Sequence, residues 1–311
     1  MTHRRAIVEL VAASTIWGFS FIAVRWSLDG MAALWIVALR FLIAFALTMP
    51  VLLSIPGARA GLTRKQLWLA LLPGLLLCSA LVLQTFGLRF TTATNSGFIT
   101  CLYVLFVPPL ARVVLKQPLS LAHASLVLVA LVGTALICNL QSLVLNVGDL
   151  LTLACAVASA GHIVAIGRIA KHLRSPFAFN ALQSVVAGCA ALTFAVALEP
   201  FPTWPMPAHA LYGFAFVAVV STILAFLMQV RAQRVLSTPL ASILFLLESP
   251  FAALGAFFLL GERLGVLQWS GAALILVASA GAVGLEARAA AARARKSTVS
   301  EAARVSYEPS Q

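Results

Sequence analysis

Ten stretches of roughly twenty apolar residues, joined by short polar connections, account for most of this 311-residue chain. They run approximately over 6–24, 31–53, 67–88, 94–115, 121–139, 148–169, 178–198, 209–230, 239–260 and 266–286. A helix of about 20 residues rises about 30 Å, the depth of a bilayer's hydrocarbon layer, and in lipid a spanning segment must satisfy its own backbone polar groups. The pattern therefore predicts an all-α integral membrane protein with ten transmembrane helices. With 62% hydrophobic and 10% charged residues, a chain of this length has too much apolar surface for a water-soluble fold. The first run, after Arg4 and Arg5, exceeds the apolar core of a signal peptide (about 7–15 residues) and lacks a small-residue cleavage site, so it is expected to be an uncleaved helix.

The formal charge of +12 raises the question of nucleic acid. The basic residues, however, lie scattered between apolar runs rather than on one face, and topology accounts for them better. Seventeen of the twenty-one Lys and Arg fall at one end of the bundle, three at the other, and Arg40 inside the second run. That asymmetry places both termini in the cytoplasm of a multi-pass protein, expected in a bacterial inner membrane. The expected partners are the lipid bilayer and a small-molecule substrate, with no nucleic acid; oligomeric state is open and compatible with a monomer. Cys78, Cys101, Cys138, Cys155 and Cys189 lie within apolar runs without paired spacing, and read as small core residues. The chain has no phosphate loop, zinc motif, nucleophile elbow or carboxylate cluster, so neither enzyme chemistry, a cofactor nor a metal is indicated.

Sliding the chain against itself by 145 residues places Gln84 on Gln229, Arg89 on Arg234, Leu102 on Leu247 and Ser125 on Ser270. The same shift sets Tyr103 on Glu248 and Gln117 on Glu262, and a shift of 142 sets Trp17 on Ser159. The polar coincidences at one offset indicate two repeats, 1–139 and 140–286, followed by a cytoplasmic tail, 287–311, expected to be disordered. Five helices is an odd number, so the second repeat must enter the membrane upside down. Two inverted five-helix repeats are the architecture of alternating-access transporters, with the site near the midplane between the halves.

Polar side chains inside the apolar runs are the candidates for that site. Glu248, followed by Ser249 and Pro250, lies near the centre of the ninth run. A charge there costs about 2.5–3.5 kcal/mol even on the lenient insertion scale. A buried partner, a water-filled cavity or a bound proton must offset it. Pro250 removes a backbone donor and crowds the carbonyl of Leu246, which predicts a kink. Glu248 shares a helix face with Ala241, Ala252 and Gly255, small residues that allow close helix approach. It is read either as a protonatable or cation-binding group, or as a structural carboxylate tied to a neighbour such as Arg40. In the sixth run Thr152, Cys155, Ser159 and His162 form one polar stripe, in which His162 can titrate near neutral pH. The matching face of the first run carries Trp17 and Ser20. Arg40, the symmetric pair Gln84 and Gln229, Tyr103 and Asn95 complete the candidate path, each with a structural role as the plainer alternative. Arg5 and Glu9, four residues apart, are expected to form an ion pair.

Several segments resemble the EamA-type members of the drug/metabolite transporter superfamily. They are Trp17-Gly18-Phe19-Ser20-Phe21, Ala38-Leu39-Arg40-Phe41-Leu42, Phe86-Gly87-Leu88-Arg89-Phe90-Thr91-Thr92 and Phe98-Ile99-Thr100-Cys101-Leu102-Tyr103-Val104. Gly148-Asp149-Leu150-Leu151, Leu247-Glu248-Ser249-Pro250-Phe251-Ala252-Ala253 and Leu260-Gly261-Glu262-Arg263-Leu264 continue the resemblance through the second half. It implies ten helices in two inverted repeats around a central cavity. Members of that family mostly export amino acids, other metabolites or drugs, or carry nucleotide sugars in eukaryotes. Two departures stand out. Lys116-Gln117-Pro118 replaces a usual Glu-Arg ending, and Ser159 and His162 stand where an aromatic residue is common. The function expected is a secondary active transporter, exporting a small metabolite, amino acid or drug-like compound, with proton coupling through Glu248. A passive exchanger, a non-transporting membrane partner or sensor, and a membrane-embedded enzyme are the competing classes.

Overall fold

The computed structural model describes residues 1–91, 93–117, 121–137, 146–260 and 263–305, without the side chains of 93–95, 260 and 289–305. Among the described residues, nine helices are long and apolar enough to span a bilayer: α1 (His3–Leu28), α2 (Ala33–Ser54), α3 (Arg64–Gly87), α4 (Ser96–Leu115), α6 (Val147–His172), α7 (Pro176–Leu198), α8 (Ala208–Ala232), α9 (Thr238–Leu259) and α10 (Val266–Arg288). A shorter apolar helix, α5 (Leu121–Ile137), fills the remaining position. Together they form the all-α, ten-helix membrane fold that the hydropathy pattern predicts. The helical backbone of α10 continues to Val305, past the start of the tail expected to be disordered. Its Ala- and Arg-rich sequence consists of strong helix formers. Cys138, Pro118, Gly261 and Glu262 lie outside the described residues.

Local chemistry sets several helix ends. Thr2, Thr63, Ser175 and Ser237 each accept a backbone N–H of the first turn that follows. Asn146 and Asp149 form a reciprocal capping box at the start of α6, and Thr91 donates to Asp149 Oδ1 at 2.7 Å. Gly148-Asp149 is thus a helix start tied to the end of α3.

The packing repeats with a period of five helices. α3 lies along α6 as α1 lies along α8, and α4 meets α6 as α9 meets α1. α2 pairs with α7, and α5 with α10. Exchanging each helix with the one five places on maps this pattern onto itself, as a pseudo-twofold axis in the membrane plane requires. Where α5 crosses α10, a Cβ on Gly133 would lie 2.6 Å from the carbonyl oxygen of Gly271, so the two backbones touch without side chains between them.

Three membrane segments are not continuous α-helix. In α9 the helix ends at Phe245 and restarts at Glu248. Pro250 has no N–H to give Leu246, whose carbonyl instead accepts from Ser249 N at 3.1 Å. In α4 one segment ends at Cys101 and the next begins at Tyr103. The breaks sit at equivalent places in the two halves, yet the residue corresponding to Pro250 is Leu105. In α8, Phe216–Ala225 is wound as a π-helix.

Candidate functional site

A cavity of about 90 Å³ lies between the two halves, walled by α1, α2, α3, α4, α6, α8 and α9. Eight residues singled out from sequence line it: Trp17, Arg40, Gln84, Tyr103, Ser159, His162, Gln229 and Glu248. They come from seven helices and from both repeats. The ninth, Asn95, has its side chain outside the described residues.

The break in α9 makes Glu248 the first residue of the second half-helix, as the break in α4 does for Tyr103. Cys101 Sγ donates to Glu248 Oε1 at 3.3 Å and lies 3.0 Å from Ser249 Oγ. The Tyr103 hydroxyl lies within reach of the Glu248 carboxyl and the Cys101 thiol without an aligned hydrogen bond to either. Glu248 is buried, at 6% exposure, and pairs with no cation among the described residues. The structural alternative of an Arg40–Glu248 ion pair is not what the structure contains. Gly18 brings α1 against this point: a Cβ there would lie 2.7 Å from Glu248 O and 2.8 Å from Ala252 N.

Arg40 is also buried, at 2% exposure; its hydrogen-bond partners are hydroxyls, and its guanidinium lies over the Phe41 ring, 5.5 Å from the centroid. Nε donates to Thr222 Oγ1 at 2.9 Å and Nη2 to Ser221 Oγ at 3.0 Å. Both hydroxyls sit on the π-helical segment of α8. Thr222 in turn donates to Val217 O, five residues back, at 2.6 Å. Where a wide turn tightens to α geometry the backbone register slips by one, and carbonyls lose their intrahelical partners. Asn180 Nδ2 donates to two carbonyls at that junction, Thr222 O at 3.2 Å and Ile223 O at 3.1 Å, the latter also accepting from Phe226 N. Gln183 Nε2 donates to Asn180 Oδ1 at 2.8 Å, and His162 Nε2 lies 3.3 Å from Gln183 Oε1. The acceptor there is an amide oxygen, so this imidazole nitrogen carries the proton. A single chain of donors thus runs from His162 on α6 through α7 to the segment that holds Arg40.

The symmetric glutamines have different local partners. Gln84 Nε2 donates to Thr100 Oγ1 at 3.2 Å, and Gln229 Nε2 to Gln233 Oε1 at 3.1 Å. Gln229 Oε1 and Trp17 Nε1 are buried without a hydrogen-bond partner among the described residues. Trp17 packs against Phe226 and Phe245 with ring centroids 5.0 and 5.3 Å apart, and His162 meets Phe226 edge-on at 6.0 Å. The wall is therefore aromatic on one side and hydrogen-bonding on the other, the mixture found in small-molecule sites. Of the predicted stripe on α6, Ser159 and His162 reach the cavity. Thr152 instead donates to Gly148 O, and a Cβ on Gly87 of α3 would lie 2.6 Å from its hydroxyl.

A family model described as the EamA-like transporter family matches residues 4–139 and again 146–284. The chain belongs to the EamA-like transporter family. An uncharacterized transporter of Archaeoglobus fulgidus is 30% identical over 278 residues, spanning 88% of this chain and 84% of the relative. A solved crystal structure, described only as that of a protein, aligns with a TM-score of 0.74 at 19% identity. That alignment covers 92% of this chain and 99% of that chain, and supports the fold. The EamA-like family and its transporter relative make this a membrane transporter.

Asn180, Gln183, Ser221, Thr222, Thr100 and Cys101 contribute to the site or its support and were not among the candidates from sequence. A signal existed for the first two: Asn180 and Gln183 are three apart, one helical face of an otherwise apolar span.

Proposed function

We propose that this EamA-like protein is a secondary active transporter that exports a small metabolite, amino acid or drug-like compound by exposing the central cavity to each side in turn. Glu248 exchanges a proton with the cavity during that cycle. One observation carries the reading: Glu248 lies mid-membrane on the cavity wall, beside a helix break, with no cationic partner among the described residues. A carboxyl group kept in such a place by structural pairing would be expected to have a partner; one kept to titrate needs access to a cavity. Trp17, Gln84, Gln229, Tyr103, Ser159, His162 and Arg40 form the substrate path in this reading. The two repeats, 1–139 and 140–286, rock against each other about the cavity, with both termini in the cytoplasm as the basic residues indicate.

The test is flux in proteoliposomes with and without an imposed pH gradient, comparing the wild type with Glu248→Gln. Gradient-driven flux should fall at least about tenfold in the variant while exchange without a gradient persists, as for loss of one catalytic proton-transfer group. Gradient-driven transport equal to wild type would remove Glu248 from coupling. Wild-type flux indifferent to every imposed gradient would identify a passive exchanger instead.

A further inference from the structure

The Arg40 guanidinium is the other buried charge on the cavity wall, and it is incompletely compensated. Taking a cation out of water is costly, and two hydroxyl dipoles and the face of Phe41 offset only part of that. Nε and Nη2 are engaged by Thr222 and Ser221, while Nη1 has no hydrogen-bond partner among the described residues. Arg40 forms no ion pair with a carboxylate among those residues either. A rigid guanidinium fork fixed on one edge offers its other edge to a planar anion. The same cavity contains a second unmet donor, the buried Nε1 of Trp17.

We infer that Arg40 is the receptor for a carboxylate on the transported molecule. The inference rests on the cavity being the substrate site and narrows that reading to organic carboxylates, zwitterions included. The carboxylate completes the guanidinium's hydrogen bonding, and the apolar remainder of the molecule lies against Trp17, Phe226 and Phe245. Ser221 and Thr222 are positioning residues: the π-helical winding of α8 presents their hydroxyls to Nη2 and Nε. Asn180 sustains that winding by taking the carbonyls of Thr222 and Ile223. Glu248 lines the same cavity without pairing with Arg40, so proton exchange and carboxylate binding occupy separate groups.

The probes are two trios sharing one body and differing in the head group: propionate, propionamide and propylamine, and 3-phenylpropionate with its amide and amine. Binding is read from the thermal unfolding midpoint of the full-length protein in detergent, and flux from proteoliposomes. The carboxylate of at least one trio should bind about tenfold or more tightly than its amide, the ratio for a charge-assisted hydrogen bond. Arg40→Gln should abolish that preference. Thr222→Val should weaken it with the charge still in place, and Thr222→Ser, which keeps the hydroxyl, should restore it. Carboxylates that bind no better than amides to the wild type, absence of binding included, overturn the inference whether or not any Arg40 variant folds. Flux of an amide or amine without carboxylate preference would overturn it while leaving the transporter reading intact.

Discussion

Asn180 donates to two carbonyls of α8 and accepts from Gln183, all within a buried interface between helices. Asn180→Ala removes the side-chain donor to Thr222 O and Ile223 O and the acceptor of Gln183 Nε2, and a stranded buried polar group costs about 1–3 kcal/mol. The melting temperature of the purified variant should fall, and so should that of Gln183→Ala, which breaks the chain between His162 and Asn180. Hydrogen bonds between membrane helices average only about 0.6 kcal/mol. A loss no larger than that would mean the π-helical segment holds itself without Asn180. Glu248 and Arg40 were legible in the sequence because a charge within an apolar run demands an explanation whatever the fold. Asn180 and Gln183 carry no charge, so nothing about them demands an explanation before the helices are packed. Cys101 is the small core residue the sequence indicates; its contact with Glu248 was not legible because it depends on how α4 and α9 meet.

Among the helices, α4 and α9 carry the features that shape the site, and Pro250 marks only one of them. α9 breaks before the proline, whereas α4 breaks at the equivalent point before Leu105, which can donate normally. A missing donor therefore does not account for both breaks, and each broken helix packs against a neighbour, α9 against α1 and α4 against α6. At α9 the pressing element is Gly18 of α1. Gly18→Ala would place a methyl group 2.6–2.8 Å from Phe251 Cβ, Glu248 O and Ala252 N, two of them backbone atoms. Overpacking of this kind costs about 1–3 kcal/mol. The expected result is a lower melting temperature together with impaired gradient-driven flux, since the displaced backbone is that of Glu248. A variant that melts lower but couples normally would show that the position of Glu248 tolerates the shift. The break in α4 and the π-helical turn of α8 left no sequence mark, because each arises where two helices meet rather than within one.

Polar side chains tie the two halves together at both ends of the bundle, at one of them through His209 and Asp29, 2.9 Å apart, and at the end where the termini lie through two carboxylates. Glu9 of α1 accepts from Arg231 of α8 at 2.9 Å and from Arg5 at 3.1 Å, joining the first half to the second. Glu286 of α10 accepts from Ser237 N and Oγ at 3.1 and 2.6 Å, with His3 at 3.8 Å. At the opposite end a vestibule of about 830 Å³ opens between Arg25, Asp29, Arg89 and the 200–203 connection. Glu9→Gln should loosen the end where the termini lie. The Arg231 side chain is 34% exposed, so the expected effect is modest, about 1 kcal/mol. Amide hydrogen exchange should rise about fivefold over the turns of α1 and α8 around Glu9 and Arg231 and stay unchanged near Asp29; a uniform rise would indicate general destabilisation instead. The ten-helix count was legible because lipid leaves a spanning chain almost no alternative, and the repeat because equivalent polar positions survived at one offset. The Arg5–Glu9 pair was also expected, four residues apart on one helix, but its bridge to Arg231 needed the tertiary packing. If Glu248 carries the proton as proposed, the unequal pair at the two helix breaks also limits the electrical balance of transport. With Tyr103 at one and Glu248 at the other, the breaks hold one carboxyl group, so a cycle built on it moves one proton per turn. If that proton enters as a monoanion leaves, each turn carries two positive charges inward in sum. Membrane voltage then contributes alongside the pH difference, at about 2.3 kcal/mol per charge for every 100 mV.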